Sequence, residues 1–177
     1  MNSGPADNTD KHPDMIDPFG SSPHDHQQCQ HRALVAAQQL CSNRGVRLTL
    51  LRRQVLELIW NSHTPVKAYH LLELLKQKHP NAAPTTVYRA LSFLLDHELI
   101  HRLQSLNAFI GCGLPGTAHH GQFLICRVCG AAAELPDTDL RERIGRRADE
   151  LGFRIEIETV EISGTCANCQ QAAITSD

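Results

Sequence analysis

The chain has 177 residues, with 17 Lys and Arg against 19 Asp and Glu, 11 His and 7 Cys. That length suits one ordinary domain or two small ones, and no apolar run approaches the roughly 18 residues a membrane helix needs. The N-terminus has no basic, then apolar, then small-residue pattern, so a cytoplasmic protein with reduced cysteines and no membrane partner is expected.

The formal net charge of −2 conceals a segregation. Residues 1–30 carry five acids and one base, residues 31–105 ten bases and four acids, and residues 106–177 six bases and ten acids. Local charge sets the attraction to nucleic acid, so a segment at +6 between two ends at −4 points to a polyanion meeting the middle.

Residues 1–28 are rich in Asn, Asp, Pro, Gly, Ser and His and lack apolar periodicity, the composition of a disordered tail. His24, His26, Cys29 and His31 could hold a metal weakly, but the simpler reading is a solvated tail merging into a helix. From Gln30 to Asn43, Ala33, Leu34, Ala37, Leu40 and Cys41 follow the helical rhythm, which stops at Gly45. A second helix follows Thr49, a suitable N-cap, and turns Val55, Leu56, Ile59 and Trp60 inward before Pro65. A third runs from about Lys67 to Lys78 with Leu71, Leu72, Leu74 and Leu75 inward, and the fourth opens at Pro84-Thr85-Thr86. After Glu98 the period changes to 2, in Leu99–Leu103 and Ala108–Cys112 around the turn Ser105-Leu106-Asn107. A hairpin after a helix-turn-helix is the wing of a winged helix.

A second unit follows the loop Gly113 to Gly116: a strand from Gln122 to Val128, a short one from Ala131 to Leu135, a helix from about Thr138 to Leu151, and a strand carrying Ile155, Ile157, Val160 and Ile162. The fold expected is α+β, a winged helix-turn-helix domain over residues 29–105, with its wing reaching about 112, and a small α/β domain over 113–177.

On the fourth helix Val87, Ala90, Leu91 and Leu94 fall on one side and Thr85, Tyr88, Arg89, Ser92 and Asp96 on the other. The N-terminal part of such a helix usually enters the major groove, which nominates Thr85, Thr86, Tyr88 and Arg89 as DNA contacts. The Arg89 fork can bond guanine O6 and N7 together. Tyr69 shares the outer face of the preceding helix with Glu73 and Lys76. Periodicity alone favours an ordinary solvated amphipathic helix, since most such helices touch no DNA; the basic segment and the wing shift the reading to DNA.

Cys126-Arg-Val-Cys129 and Cys166-Ala-Asn-Cys169 are two C-x-x-C pairs separated by residues 130–165. Four thiolates complete a tetrahedral zinc shell with no open position, a structural site. A redox pair would stand at a helix start, whereas both pairs here are expected at strand ends. His101, Cys112, His119 and Glu134 offer N, S, N and O donors for a second zinc, drawn from both units. Taken singly, Cys112 reads as a buried small hydrophobe and Glu134 as solvated; only their convergence makes a site. His97-Glu98-Leu-Ile-His101 matches H-E-x-x-H, but it straddles the boundary between helix and wing, so a zinc hydrolase using His97, Glu98 and His101 is the rival of a different class.

Arg47-Leu-Thr49-Leu-Leu-Arg52, Ala68-Tyr69-His-Leu-Leu-Glu-Leu-Leu75, Pro84-Thr-Thr-Val-Tyr-Arg-Ala-Leu91, Cys126-x-x-Cys129-Gly130 and Cys166-x-x-Cys169 together resemble the ferric uptake regulator family over about residues 30–170. Within it the likeness is greatest to zinc uptake regulators. The resemblance implies a winged helix hinged to an α/β dimerisation domain, a homodimer on palindromic double-stranded operators, and repression of zinc-uptake genes when zinc-loaded, with no catalysis. It implies two Zn2+ per chain: a structural one at Cys126, Cys129, Cys166 and Cys169, and a regulatory one at His101, Cys112, His119 and Glu134. Iron-sensing members carry His-His-Asp-His before the first knuckle, whereas this chain has Ala118-His119-His120-Gly121-Gln122, which disfavours iron and peroxide sensing. Regulators of nickel or manganese are the nearest alternative. Leu50 and Leu51 stand where Pro and Gln are common, Lys67 replaces the usual cap of the third helix, and no Cys/His cluster follows Cys169, so no third metal site is expected.

Overall fold

The computed structural model describes residues 19, 26–117, 121–135 and 137–174. Four helices open the chain: α1 (His26–Asn43), α2 (Leu50–Ile59), α3 (Ala68–Lys78) and α4 (Pro84–Asp96). The first begins earlier than the apolar rhythm indicates, so His26, Gln27 and Gln28 belong to the helix rather than to the tail. It ends where Gly45, at φ +66°, lets the amide of Val46 donate to the carbonyl of Cys41. Thr49 caps α2 by accepting from the amide of Arg52. Lys67 precedes α3 without a side-chain cap.

The end of α4 uses the same chain reversal as α1, but with Glu98 in the left-handed position at φ +58°. Leu99 donates its amide to the Leu94 carbonyl there. A non-glycine residue in that region costs about 1–3 kcal/mol. Arg44 meets it from the end of α1, donating to the Glu98 carboxylate at 2.8 Å and to the His97 carbonyl at 3.2 Å.

The wing follows as β1 (Ile100–Leu103) and β2 (Ala108–Gly111), antiparallel, with His101 opposite Ile110; Val66 extends it by bridging to Phe109. Ala37, Cys41, Val55, Leu56, Ile59, Trp60, Leu71, Leu75, Val87, Ala90, Leu91 and Leu94 form one continuous core with Ile100 and Phe109. Helix α4 and the wing therefore move as a single body.

The second unit is a three-stranded sheet in the order β4-β3-β5, formed by β3 (Gly121–Cys126), β4 (Ala132–Glu134) and β5 (Thr159–Gly164). Helix α5 (Thr138–Glu150) joins β4 to β5, capped by Asp137 at the amide of Leu140, and α6 (Ala167–Ile174) follows β5. The expected last strand is shorter than its alternation: Ile155 and Ile157 precede β5, and Ile157 is 90% exposed. Alternating apolar residues mark a strand only where a neighbouring strand pairs with them, and β3 pairs with β5 over Gly121–Cys126 and Thr159–Gly164 alone. No strand continues to Val128, because the chain turns at Arg127.

Gly111 is dictated by a close approach, since a Cβ there would lie 2.2 Å from the Trp60 ring. Gly111→Ala is expected to destabilise the fold by about 1–3 kcal/mol through overpacking, read as a lowered denaturant midpoint with unchanged slope. Equal midpoints would mean that Trp60 can move aside.

Candidate metal centres and nucleic-acid interface

Parallel pairing of β3 and β5 sets Cys126 beside Gly164, so the ends of both strands reach the same edge of the sheet. Each strand then delivers a C-x-x-C. The first turns tightly, Gly130 donating to the Cys126 carbonyl, and the Arg127 amide fastens it to the Gly164 carbonyl. The second opens α6, with Cys169 inside the helix. The expectation that both pairs lie at strand ends is thus corrected for Cys166 and Cys169, and the argument against redox chemistry rests instead on four sulfurs converging.

Cys126 and Cys169 are 3.8 Å apart, Cys129 and Cys166 3.9 Å, and all four sulfurs lie within 4.8 Å of one another. Zn–S bonds of about 2.3 Å put tetrahedral corners about 3.8 Å apart, so the donor set fits zinc. Backbone amides of Cys129 and Cys166 pull the Cys126 thiol down to about 6, whereas hydrogen bonding to Cys166 and burial push Cys169 up to about 12. The four sulfurs cannot all ionise together without a cation.

The second cluster crosses between the two units. Leu99 and Cys112 face each other, the Cys112 amide donating to the Leu99 carbonyl, so His101 and Cys112 are diagonal neighbours on one face of the wing. Glu134 lies opposite Phe123 in the β3–β4 register, and the Phe123 ring packs edge-on against His101 with centroids 5.2 Å apart. His101 Nε2 is 2.9 Å from Glu134 Oε1, while the Gly113 amide donates to Glu134 Oε2 at 3.0 Å. The donor atoms of His101, Cys112 and Glu134 lie within 4.8 Å of one another. His119 lies outside the described residues, as does His24 of the tail cluster, whose His26 contacts His63 at 3.2 Å. The imidazole, thiol and carboxylate are a mixed donor set that suits zinc better than an all-oxygen metal.

The H-E-x-x-H residues do not converge. His97 packs against Phe93, the Glu98 carboxylate is held by Arg44, and His101 faces Glu134. No single helix face carries the two imidazoles, which removes the structural context of a zinc hydrolase.

On the outer face of α4, Thr85, Tyr88, Arg89, Ser92 and Asp96 are exposed, and Thr86 is half-buried. Tyr69 stands exposed on α3, with Glu73 and Lys76 on the same outer face. Some of the positive charge of the middle segment is internal: Arg44 binds Glu98, Arg53 binds Glu57, and Arg52 lies 3.6 Å over the Phe93 ring while donating to the Arg47 carbonyl. Charge counting in the sequence could not separate these from Arg89. Sequence reasoning also missed Gly113, whose contribution is a backbone amide, and Glu161, whose partners are backbone amides distant in the chain.

A winged helix whose wing shares a cluster of side chains able to hold a metal with a small C-terminal sheet is the architecture of a metal-responsive regulator of DNA. The model of the ferric uptake regulator family matches residues 43–163, and the chain belongs to that family. It is 36% identical over 137 residues to the zinc uptake regulation protein of Escherichia coli strain K12, covering 77% of this chain and 80% of the relative. A structure described as a zinc uptake regulator complexed with zinc and DNA superposes with a TM-score of 0.78 at 34% identity, over 82% of this chain and 97% of that one. The crystal structure of holo XcZur gives a TM-score of 0.73 at 43% identity, over 78% of this chain and 96% of that one. Among the described residues, no helix is long and apolar enough to cross a membrane.

Burial draws the His101 pKa down, but hydrogen bonds to Cys112 and Glu134 outweigh it and leave it at about 9 in the metal-free protein. A folded pKa above the usual value of about 6.5 stabilises the metal-free fold fully below about pH 6.5, and that stabilisation is lost as pH rises through about 9. Metal binding needs the neutral imidazole and therefore runs the opposite way. Chemical denaturation of metal-free protein should show stability declining from pH 6.5 to 9 relative to His101→Ala, while zinc affinity of the unaltered chain rises over the same range. Parallel pH profiles of the two proteins would contradict this pairing.

Proposed function

We propose that the chain is a cytoplasmic, zinc-sensing transcriptional repressor that binds palindromic DNA as a homodimer and shuts off zinc-uptake genes when zinc-loaded. The observation that carries this reading is the meeting of His101 and Cys112 of the wing with Glu134 of the C-terminal sheet. Zinc-named relatives and the zinc and DNA complex of a similar protein support it.

Two zinc ions per chain are assigned. Cys126, Cys129, Cys166 and Cys169 hold the structural one, tying β3 to β5 and α6. His101, Cys112 and Glu134, joined by His119, form the regulatory site. When bound there, zinc supplies one positive centre shared by donors of both units. The protein does the rest: β1 and β2 hold His101 and Cys112 ready, Gly113 orients the Glu134 carboxylate, and the common core carries the wing's position to α4. Tyr69, Thr85, Thr86, Tyr88 and Arg89 are the DNA contacts, Arg89 reading a base and the others fixing the helix on the backbone. The thiolate of Cys112 argues against manganese, which favours oxygen donors, and for zinc over nickel in a tetrahedral set.

Dimerisation falls to the C-terminal unit. Phe153 is 65% exposed, Ile157 90% and Ile162 47%, on the edge strand β5 or in the segment that leads into it from α5, bare apolar surface that a second copy would cover.

Cys112→Ser is expected to abolish zinc-stimulated binding to a duplex selected from a random-sequence pool by the zinc-loaded protein, while leaving a folded dimer with one zinc per chain. A zinc titration like that of the unaltered protein in a gel-shift assay would refute the regulatory assignment. Arg89→Ala should weaken binding to the selected duplex by about 1–3 kcal/mol and relax preference at one base pair, measured against duplexes varied position by position. Uniform weakening across all variants would make Arg89 a phosphate contact.

A further inference from the structure

The turn between β1 and β2 runs over Gln104, Ser105, Leu106 and Asn107, the Asn107 amide donating back to the Gln104 carbonyl. Two of its amides point away from the turn and converge on one carboxylate. Gln104 donates to Glu161 Oε1 at 2.6 Å and Ser105 to Glu161 Oε2 at 3.0 Å. Glu161 stands on β5, the edge strand of the C-terminal sheet. The Ser105 side chain also hydrogen-bonds to it, and these bonds outweigh burial in holding the carboxyl below its ordinary range. Successive backbone amides around a carboxylate make a small anion nest, with charge-assisted bonds on both oxygens.

The nest matters because of its position along β1. His101, near the start of that strand, meets Glu134 of β4; Gln104, one residue past its end, meets Glu161 of β5. Apolar contact of Leu103 and Ile110 with Phe123 and the Ala132 amide on the His63 carbonyl also join the two units, but apolar contact is non-directional and a single hydrogen bond leaves a pivot. A second point some distance away removes most of that rotation. The wing tip is also committed: amides that could have met phosphate are bound to the protein's own sheet.

We propose that Glu161 is a positioning residue that latches the wing tip to the dimerisation sheet, so that the regulatory site closes the two units in a single orientation. The inference deepens the reading of the chain as a zinc-dependent DNA-binding dimer and rests on it for its DNA readout. Without the latch the regulatory donors still gather, but the two recognition helices of a dimer are no longer held at one separation. Glu161 touches neither DNA nor metal in this scheme; it acts through the wing.

The test compares the full-length zinc-loaded protein with Glu161→Gln and with Ser105→Pro. The proline removes one of the donated amides at the second position of a turn, a place that accepts proline. Both variants should keep two zinc ions per chain. Small-angle scattering should show a larger maximum dimension than for the unaltered protein, and affinity for the pool-selected duplex at saturating zinc should fall at least tenfold. Scattering profiles and affinities matching the unaltered protein, even with a lowered melting temperature, would reduce Glu161 to a structural contact and overturn the proposal. Zinc lost from the regulatory site in both variants would overturn it as well, since the latch would then be part of metal binding. Failure of the unaltered protein to select any duplex would count against the functional reading alone, and scattering with zinc content would still decide the latch.

Discussion

The C-terminal sheet is too thin to make its own core, and most of the architecture follows from that constraint. Neither α5 nor α6 buries a residue completely, and the only cluster of buried side chains there among the described residues combines Phe123, Ile125 and Ala132 with Leu103 and Ile110 of the wing. A unit this small gains stability from a structural metal, because binding free energy of a site absent from the unfolded chain is folding free energy. The sulfur tetrahedron sits where that contribution is most needed, at the end where β3 and β5 would otherwise fray and where α6 has no apolar anchorage. The exposed apolar residues around β5 have the same origin: a surface the monomer cannot cover is one a second copy can.

Sharing a core between wing and sheet also explains why the donors of the proposed regulatory site can be so few. Leu103 and Ile110 already bring β1 and β2 against β3, and Ala132 donates its amide to the His63 carbonyl beside α2. Helix α4, β1 and Glu134 are therefore near one another before any metal is considered. Apolar contact is non-directional and leaves the angle between the units loosely defined. Directional interactions set that angle, and the structure places two along β1: the pair His101–Glu134 and the amides of Gln104 and Ser105 on Glu161.

Legibility in the sequence divides along the same line. Local rules read the helices well, since Thr49, Gly45 and Pro84 act through their own backbone neighbourhood and the buried faces of α2 and α4 follow a 3.6 period. The four cysteines were equally legible, because spacing within each C-x-x-C is a local property and thiolate chemistry narrows the metal. Ile155 and Ile157 misled because alternation is also what a strand-like segment shows when no strand pairs with it. Helix α6 was hidden by its weak pattern and by the cysteines at its start. Glu98 carries a left-handed turn usually given to glycine, and only Arg44, 54 positions earlier, explains how it is held. Glu161 was invisible for the same reason: its partners are main-chain amides 56 and 57 residues away.

The division of donors between the units decides whether the proposed site can act as a switch. A ligand shifts an equilibrium only by its difference in affinity for the two states, and moving a population from 1:99 to 99:1 takes about 5.5 kcal/mol. Donors contributed by one rigid body would bind zinc equally in both states and shift nothing. His101 and Cys112 are of that kind, since strand pairing keeps them adjacent whether or not the C-terminal unit approaches. Glu134 is not: its carboxylate comes from the C-terminal sheet and meets the other two across the boundary between the units, held there by the Gly113 amide. In the proposed reading it is therefore the residue through which affinity becomes orientation. A chain with Glu134 shortened or neutralised would keep much of its attraction for zinc at His101 and Cys112 while losing the difference between states.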